Sequence, residues 1–363
     1  MQLTAGGTHW GMTTSFPLTV HDPTTLSFDV RLEIAQHDAE CALFAAPDDP
    51  PPVAVSGAHE LGFAAEDEGK MVVLARAGGR LVGRAYLGYA LSQNTDQAFL
   101  GVTVHPQFRR RGLGRALALR AGQLALELGR TTYEAATSTR EPQGEVFAAG
   151  LGAKAALPML ISELRLDTLD QDQLRHWVRR PEDDSYALHR FARVPESEFQ
   201  RVAAIMEVMN TAPRGDLEFD DWKITPAMVA SWQEMTEASG EKRLLYAAEH
   251  LSSRELVGYT EVFWHPERAT LVHQGATAVR PDHRGQGLGK WLKAAVLLDL
   301  SAHNPGGSRL RTGNADSNAA MLGINKALGF ASVYGRTGWQ GQTGELVAAA
   351  RRAVVEMTPV AHK

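Results

Sequence analysis

Apolar residues between positions 71 and 129 change their period twice. Met71-Val72-Val73-Leu74-Ala75 and the run from Leu81 to Leu87 flank Gly78-Gly79, a pattern that predicts a β-hairpin. A further apolar run from about Ala98 to Val104 predicts a third strand. Beyond a short loop, Leu113, Leu117, Ala121, Leu124 and Leu128 recur at near-helical spacing until Gly129, so an amphipathic helix follows. A shorter helical pattern from Glu145 to Ala156, broken by Gly150 and Gly152, leads into a strand from Pro158 to Leu166.

The second half predicts the same plan. Arg243 to Leu251 and Glu255 to Trp264 form a hairpin, Thr270 to Val279 a strand, and Leu288 to Leu300 a helix with Leu288, Leu292 and Ala295 on one face. Ser308 to Thr312 reads as another strand. The helix after it has Ile324 and Leu328 as its apolar face, Asp316 or Ser317 as its cap, and Gly329 at its end. The charged segment from Asp167 to Asp184, interrupted by Pro181, reads as the connection, which gives domains 1–182 and 183–363. Residues 1 to about 15 read as a loose lead-in or edge strand, and Asp48 to Pro52 as a surface connection or a lid.

The halves are related in sequence as well as in pattern. Val104-His105-Pro106-Gln107-Phe108-Arg109-Arg110-Arg111-Gly112-Leu113-Gly114 recurs 175 residues later as Val279-Arg280-Pro281-Asp282-His283-Arg284-Gly285-Gln286-Gly287-Leu288-Gly289. The same offset carries Leu81-Val82-Gly83 onto Leu256-Val257-Gly258, so hairpin and loop repeat together. Glycines at a strand-to-helix turn expose unpaired N–H groups beside the positive end of the helix dipole, a setting that holds phosphate. Other phosphate loops fit badly. Trp291 follows Gly289-Lys290 where a nucleoside-triphosphate loop needs Ser or Thr, and Leu117 or Lys290 stands where a dinucleotide fingerprint needs its third glycine.

Both copies match V-x-P-x-x-[RQ]-x-x-G-x-[GA] at every specified position, and on that motif the chain resembles the GNAT acetyltransferase superfamily over nearly its whole length. The tandem arrangement, together with the segment from Asn314 to Leu328-Gly329-Phe330, is distantly similar to mycothiol synthases. The resemblance implies an α/β fold, a mixed central sheet flanked by helices, in two tandem GNAT-like domains. It implies acetyl-coenzyme A as acyl donor, held by Val102, Val104, Arg109, Arg110, Gly112 and Gly114 in the first copy. In the second it implies Thr277, Val279, Arg284, Gly285, Gly287 and Gly289, with Asn318 beginning a helix beside the pantetheine arm. The acceptor is then a small-molecule or peptide amine, attacking the thioester directly.

The chemistry requires a neutral amine, a stabilised oxyanion and a departing thiolate. Many family members place a tyrosine as acid four positions before the glycine that ends the last helix. Asn325 holds that place here, Ala148 is its counterpart in the first copy, and Tyr334 is the candidate substitute. Glu261 and His273 are candidate bases. At the offset they fall on Tyr86 and Ala98, so titratable groups favour the second copy as the catalyst. A protein that binds coenzyme A without catalysis is the alternative, favoured by the absent tyrosines.

Composition narrows the remaining classes. The 363 residues are 44% hydrophobic and 22% charged, enough for two cores without disulfides or structural metal. The single cysteine, Cys41, reads as a core filler and favours a reducing, cytoplasmic setting. A net charge of −5 argues against nucleic acid as partner, no apolar run spans a membrane, and no Cys/His cluster has metal-ligand spacing. A monomer or homodimer is expected, because a tandem chain can make internally the contact that single-domain relatives make as dimers.

Overall fold

The computed structural model describes residues 16–356, and the expected lead-in at residues 1–15 lies outside them. The first half runs β1 (Leu18–His21), α1 (Phe28–Ala45), α2 (Ala54–Gly62), β2 (Glu68–Ala77), β3 (Arg80–Ala90), β4 (Gln97–Val104), α3 (Leu113–Glu127), β5 (Thr132–Ser138), α4 (Gln143–Gly150) and β6 (Lys154–Arg165). The second runs α5 (Gln171–Val178), β7 (Tyr186–Phe191), α6 (Phe199–Met206), α7 (Pro226–Ala238), β8 (Lys242–His250), β9 (Glu255–Trp264), β10 (Leu271–Val279), α8 (Leu288–His303), β11 (Arg309–Ala315), α9 (Ala319–Leu328), β12 (Ala331–Gln342) and α10 (Thr343–Glu356). Gly78 and Gly79 take φ of +56° and +85°, the backbone a tight hairpin needs between β2 and β3.

The strands join in one mixed sheet of twelve, in the order β1-β2-β3-β4-β5-β12-β6-β11-β10-β9-β8-β7. Successive strand residues face opposite sides, so the unbroken apolar runs imply a sheet covered on both faces. Val73 and Ala75 pack with Leu113, Leu117 and Ala121 of α3, whereas Val72 and Leu74 pack with Ile34 of α1. Leu244 and Tyr246 likewise meet Leu288 and Leu292 of α8, while Leu245 and Ala247 meet Val202 of α6 and Val229 of α7.

The halves exchange their last strands. β5 pairs with β12 from Thr132↔Gln342 to Ser138↔Arg336, and β11 pairs with β6 from Arg309↔Arg165 to Ala315↔Met159. β6 and β12 pair antiparallel with each other at the centre. The following helices cross with their strands: Leu346 and Ala350 of α10 lie in the core beneath α3, and Leu174 of α5 lies in the core beneath α8. The segment from Asp167 to Asp184 is therefore more than a charged connection. It contains α5, whose Leu174 is fully enclosed.

Three local expectations change. Asn318 itself caps α9, accepting from the Met321 N–H at 3.3 Å, in place of Asp316 or Ser317. Leu128 closes α3 as its C-cap and stays 37% exposed, because the helix ends before its face returns to the core. The Asp48–Pro52 segment is tied down: Asp49 bonds Arg140 at 2.9 Å and Arg311 at 2.7 and 2.8 Å. Cys41 is buried, and burial pushes its thiol up to about 12, consistent with a filler. No helix among the described residues is long and apolar enough to cross a membrane.

Candidate active site

β10 and β11 run parallel and pair only from Leu271↔Arg309 to His273↔Arg311, after which the partners separate. On its other side β10 bulges against β9 between Gln274 and Thr277. A bulge takes backbone groups out of the ladder. The wedge so opened is a cleft of about 700 Å³, lined by Thr277 and Val279 of β10, the loop from His283 to Lys290, and Asn318 of the α9 start.

The loop has the backbone that its sequence predicts. Gly287 caps α8 at φ +75° and Gly285 has φ +80°, both left-handed, with no heavy atom within 4 Å of the place a Gly285 side chain would occupy. Arg284 donates through Nε to the Val279 carbonyl at 3.0 Å and through Nη2 to Thr211 Oγ1 at 2.7 Å. It meets no carboxylate among the described residues. The seven second-half residues expected to hold the donor, Thr277, Val279, Arg284, Gly285, Gly287, Gly289 and Asn318, thus converge on one cleft.

The first-half loop keeps the turn but not the setting. Gly112 has φ +80°, and Arg110 holds φ +62° where the second copy has glycine. Arg109 repeats the bond to its own strand, Nε to the Val104 carbonyl at 3.0 Å, but pairs with Glu141 at 2.7 Å and lies over Phe44. Gly114 faces the Phe147 ring, with Val104 beside it, and Val102 lies two residues back on β4. The helix α4 has Pro142 as its N-cap and no side-chain capping bond.

A second cavity of about 740 Å³ shares Met209, Ala212 and Pro213 with the cleft. Its wall is apolar and aromatic, including Phe219, Trp222, Trp232 and Phe263, and its polar groups include Glu241, Arg243 and Glu261. Glu261 is 9% exposed, and its carboxylate accepts from Arg243 at 2.7 and 2.9 Å. A side chain at Gly275 would stand 2.7 Å from Glu261 Cγ, so this residue abuts the bulge that lines the cleft. Glu241, not singled out by the sequence reading, has its carboxyl pushed up to about 7 by burial and by nearby Glu60 from the first half.

The other candidates lie elsewhere. His273 lines neither cavity; burial, with Arg268 and Arg311 nearby, pushes its imidazole down to about 4, so it is neutral at ordinary pH. Tyr334 also lines neither, lying under the Arg140 and Arg311 guanidiniums at 4.0 and 5.6 Å. Asn325 is buried and donates to Asn314 Oδ1 at 2.7 Å. Arg180, beyond α5, donates to the Gln286 carbonyl at 2.8 Å and is fixed by Asp184, adding a cation to the loop that no periodicity signals. No group of three or more His, Cys, Asp or Glu among the described residues is arranged to hold a metal ion.

The acetyltransferase (GNAT) family model matches residues 31–151 and 203–330, once in each half. A tandem GNAT protein from the clavulanic acid biosynthesis pathway, solved without AcCoA, superposes with a TM-score of 0.74 at 26% identity, covering 91% of this chain and 99% of that one. A GCN5-related N-acetyltransferase from Sphaerobacter thermophilus shares the fold with a TM-score of 0.60 and 17% identity, over 91% and 97% of the two chains. A GCN5-related glucosamine N-acetyltransferase region of a fungal multi-domain β-N-acetylglucosaminidase does so with a TM-score of 0.61 and 14% identity, over 90% and 38%. No curated protein sequence matches the chain.

Proposed function

The chain belongs to the GNAT acetyltransferase family and is an acyltransferase of that family; from this premise we propose that it moves an acetyl group from acetyl-coenzyme A to an amine, with the second half as catalyst. One observation carries the reading. The second-half cleft has left-handed glycines at a helix start and an arginine with no carboxylate partner among the described residues, and it shares Met209, Ala212 and Pro213 with a chamber lined by Glu241 and Glu261.

The donor's pyrophosphate fits the N–H groups at the start of α8, where the dipole and Arg284 oppose its charge. The bulge at Gly275 and Ala276 offers a backbone N–H to the thioester oxygen as it becomes an oxyanion. The acceptor amine enters from the chamber. Glu261, held by Arg243, orients the incoming amine, and Glu241, poised near neutrality, takes its proton directly or through water. The aromatic wall selects an amine on an apolar or aromatic body, small molecule or peptide end. We take 1–182 and 183–363 as the units along the sequence, with α5 packing into the second core and α10 into the first. His273 and Tyr334, placed outside both cavities, have no part in this scheme.

The experiment is thiol release from acetyl-coenzyme A, followed against a panel of aliphatic, aromatic and peptide amines. Release that depends on an amine, with acetylated product, establishes transfer. The competing reading, coenzyme A binding without catalysis, draws on Asn325 in the acid's place; tight binding by calorimetry with no release for any amine selects it.

A further inference from the structure

Lys293 lies inside α8, in the run Trp291-Leu292-Lys293-Ala294-Ala295-Val296. Its side chain is enclosed, 2% exposed, yet it lines the donor cleft. Nζ donates to Asn325 Oδ1 of α9 at 2.9 Å, Asn325 in turn donates to Asn314 of β11 at 2.7 Å, and the Phe330 ring lies 5.5 Å from the ammonium. No charged side chain among the described residues pairs with it, and burial alone pushes its pKa down to about 7. An ammonium has three donors, and burying it with one acceptor and no counter-ion among the described residues works against stability. Its place is the informative part. Asn325 occupies the helix position where the family resemblance puts the acid, and Lys293 is bonded to it. The corresponding first-half residue is Ala118, so this arrangement is confined to the cleft that begins at Asn318.

We propose that Lys293 is the proton donor to the departing thiolate, a role that rests on the acetyl-transfer reading. The amine nitrogen forms its bond to the thioester carbon, and the carbonyl electrons move to oxygen. Collapse of that adduct reforms the carbonyl and breaks the carbon–sulfur bond. Sulfur keeps the electron pair, takes a proton from Lys293 Nζ and leaves as a thiol. The proton lost by the attacking nitrogen goes to Glu241 or to water, and the neutral lysine recovers one from solvent. A thiol with a pKa of about 8.5 is the weaker acid, so this transfer runs downhill.

The test uses the full chain with Lys293→Met and Lys293→Arg, following thiol release with and without amine from about pH 6 to pH 9. Arginine keeps a positive charge and hydrogen-bond donors but does not release a proton in this range. Both variants should lose about 100-fold in turnover while binding acetyl-coenzyme A as before. The unsubstituted protein should lose rate as pH rises through the lysine's pKa, and both variants should lack that fall. Recovery by arginine, or an unchanged rate and alkaline fall with methionine, overturns the assignment. If both substitutions unfold the chain, Asn325→Leu decides: without the acceptor that stabilises the ammonium, the alkaline fall should move to lower pH, and an unmoved fall overturns it. Release into water separates this claim from the transfer reading. Lys293-dependent release with no amine product keeps the donor and sinks transfer, amine product unaffected by Lys293 does the reverse, and no release in either condition overturns both.

Discussion

Asp49 of the first half meets Arg311 of the second at 2.7 Å, with both side chains less than a tenth exposed. Arg140 and Arg309 bond the same carboxylate, and Glu163 completes the cluster on Arg311. Removing one member leaves buried charge uncompensated. Asp49→Ala should therefore destabilise the protein by about 3 kcal/mol, measured by urea unfolding; a change within error would make the cluster energetically idle.

The same carboxylate sets a pH dependence. Burial pushes the Asp49 pKa up, but Arg311 and Arg140 outweigh it and hold the acid well below its usual range. A folded-state pKa below the unfolded one contributes stability that is complete above about pH 4 and is lost as pH falls toward the folded value. Acid unfolding should therefore begin below about pH 4, and this part of its pH dependence should vanish in Asp49→Asn.

Gly287 and Gly112 have the same left-handed backbone in different settings. A β-branched residue costs roughly 1–2 kcal/mol in that backbone and also covers the N–H groups of the turn. Gly287→Val should weaken acetyl-coenzyme A binding at least tenfold and abolish turnover. Gly112→Val should leave most turnover, because Arg109 is already engaged by Glu141. Calorimetry and thiol release read both, and the opposite pattern would move catalysis to the first half.

For the chamber, the base must be ionised to accept a proton. With the Glu241 carboxyl raised to about 7, kcat/KM should fall as pH drops below that value. Glu241→Gln should lower turnover about 100-fold and flatten this acid limb. Glu261→Gln should instead raise KM for amines, since it frees Arg243 to repel an incoming ammonium. An acid limb that survives Glu241→Gln would assign the base elsewhere.

Trp222 and Trp232 give a test of acceptor class. Replacing either by alanine should raise KM for aromatic amines by about tenfold or more and leave short aliphatic amines nearly unchanged. Equal effects on both would show that the aromatic wall shapes the chamber without choosing its occupant.

Much of this was written in local sequence. The hairpins follow from apolar runs around glycine turns, and the loops from a motif repeated at a fixed offset. Asn318 was singled out through the family resemblance, and its place at the start of α9 agrees, though the capping role falls to it and not to its neighbours. Contacts between distant segments were less legible. Asp49 sits in a proline-rich stretch that looks like surface, and its partner is more than 250 residues away. His273 and Tyr334 have suitable chemistry for the site, but strand register turns them away from it. Lys293 did leave a trace: a helix apolar nearly all round is a buried helix, so the lysine in its middle is buried too.

The exchanged strands also impose an order in time. β5 is complete at Ser138, but its neighbour β12 ends at Gln342, roughly 200 residues later. At about 5–20 residues per second this interval is on the order of 10–40 s. Throughout it the strand that separates β5 from β6, and the helix that covers α3, have not yet been made. The first half therefore reaches its final packing only once the end of the second has been synthesised.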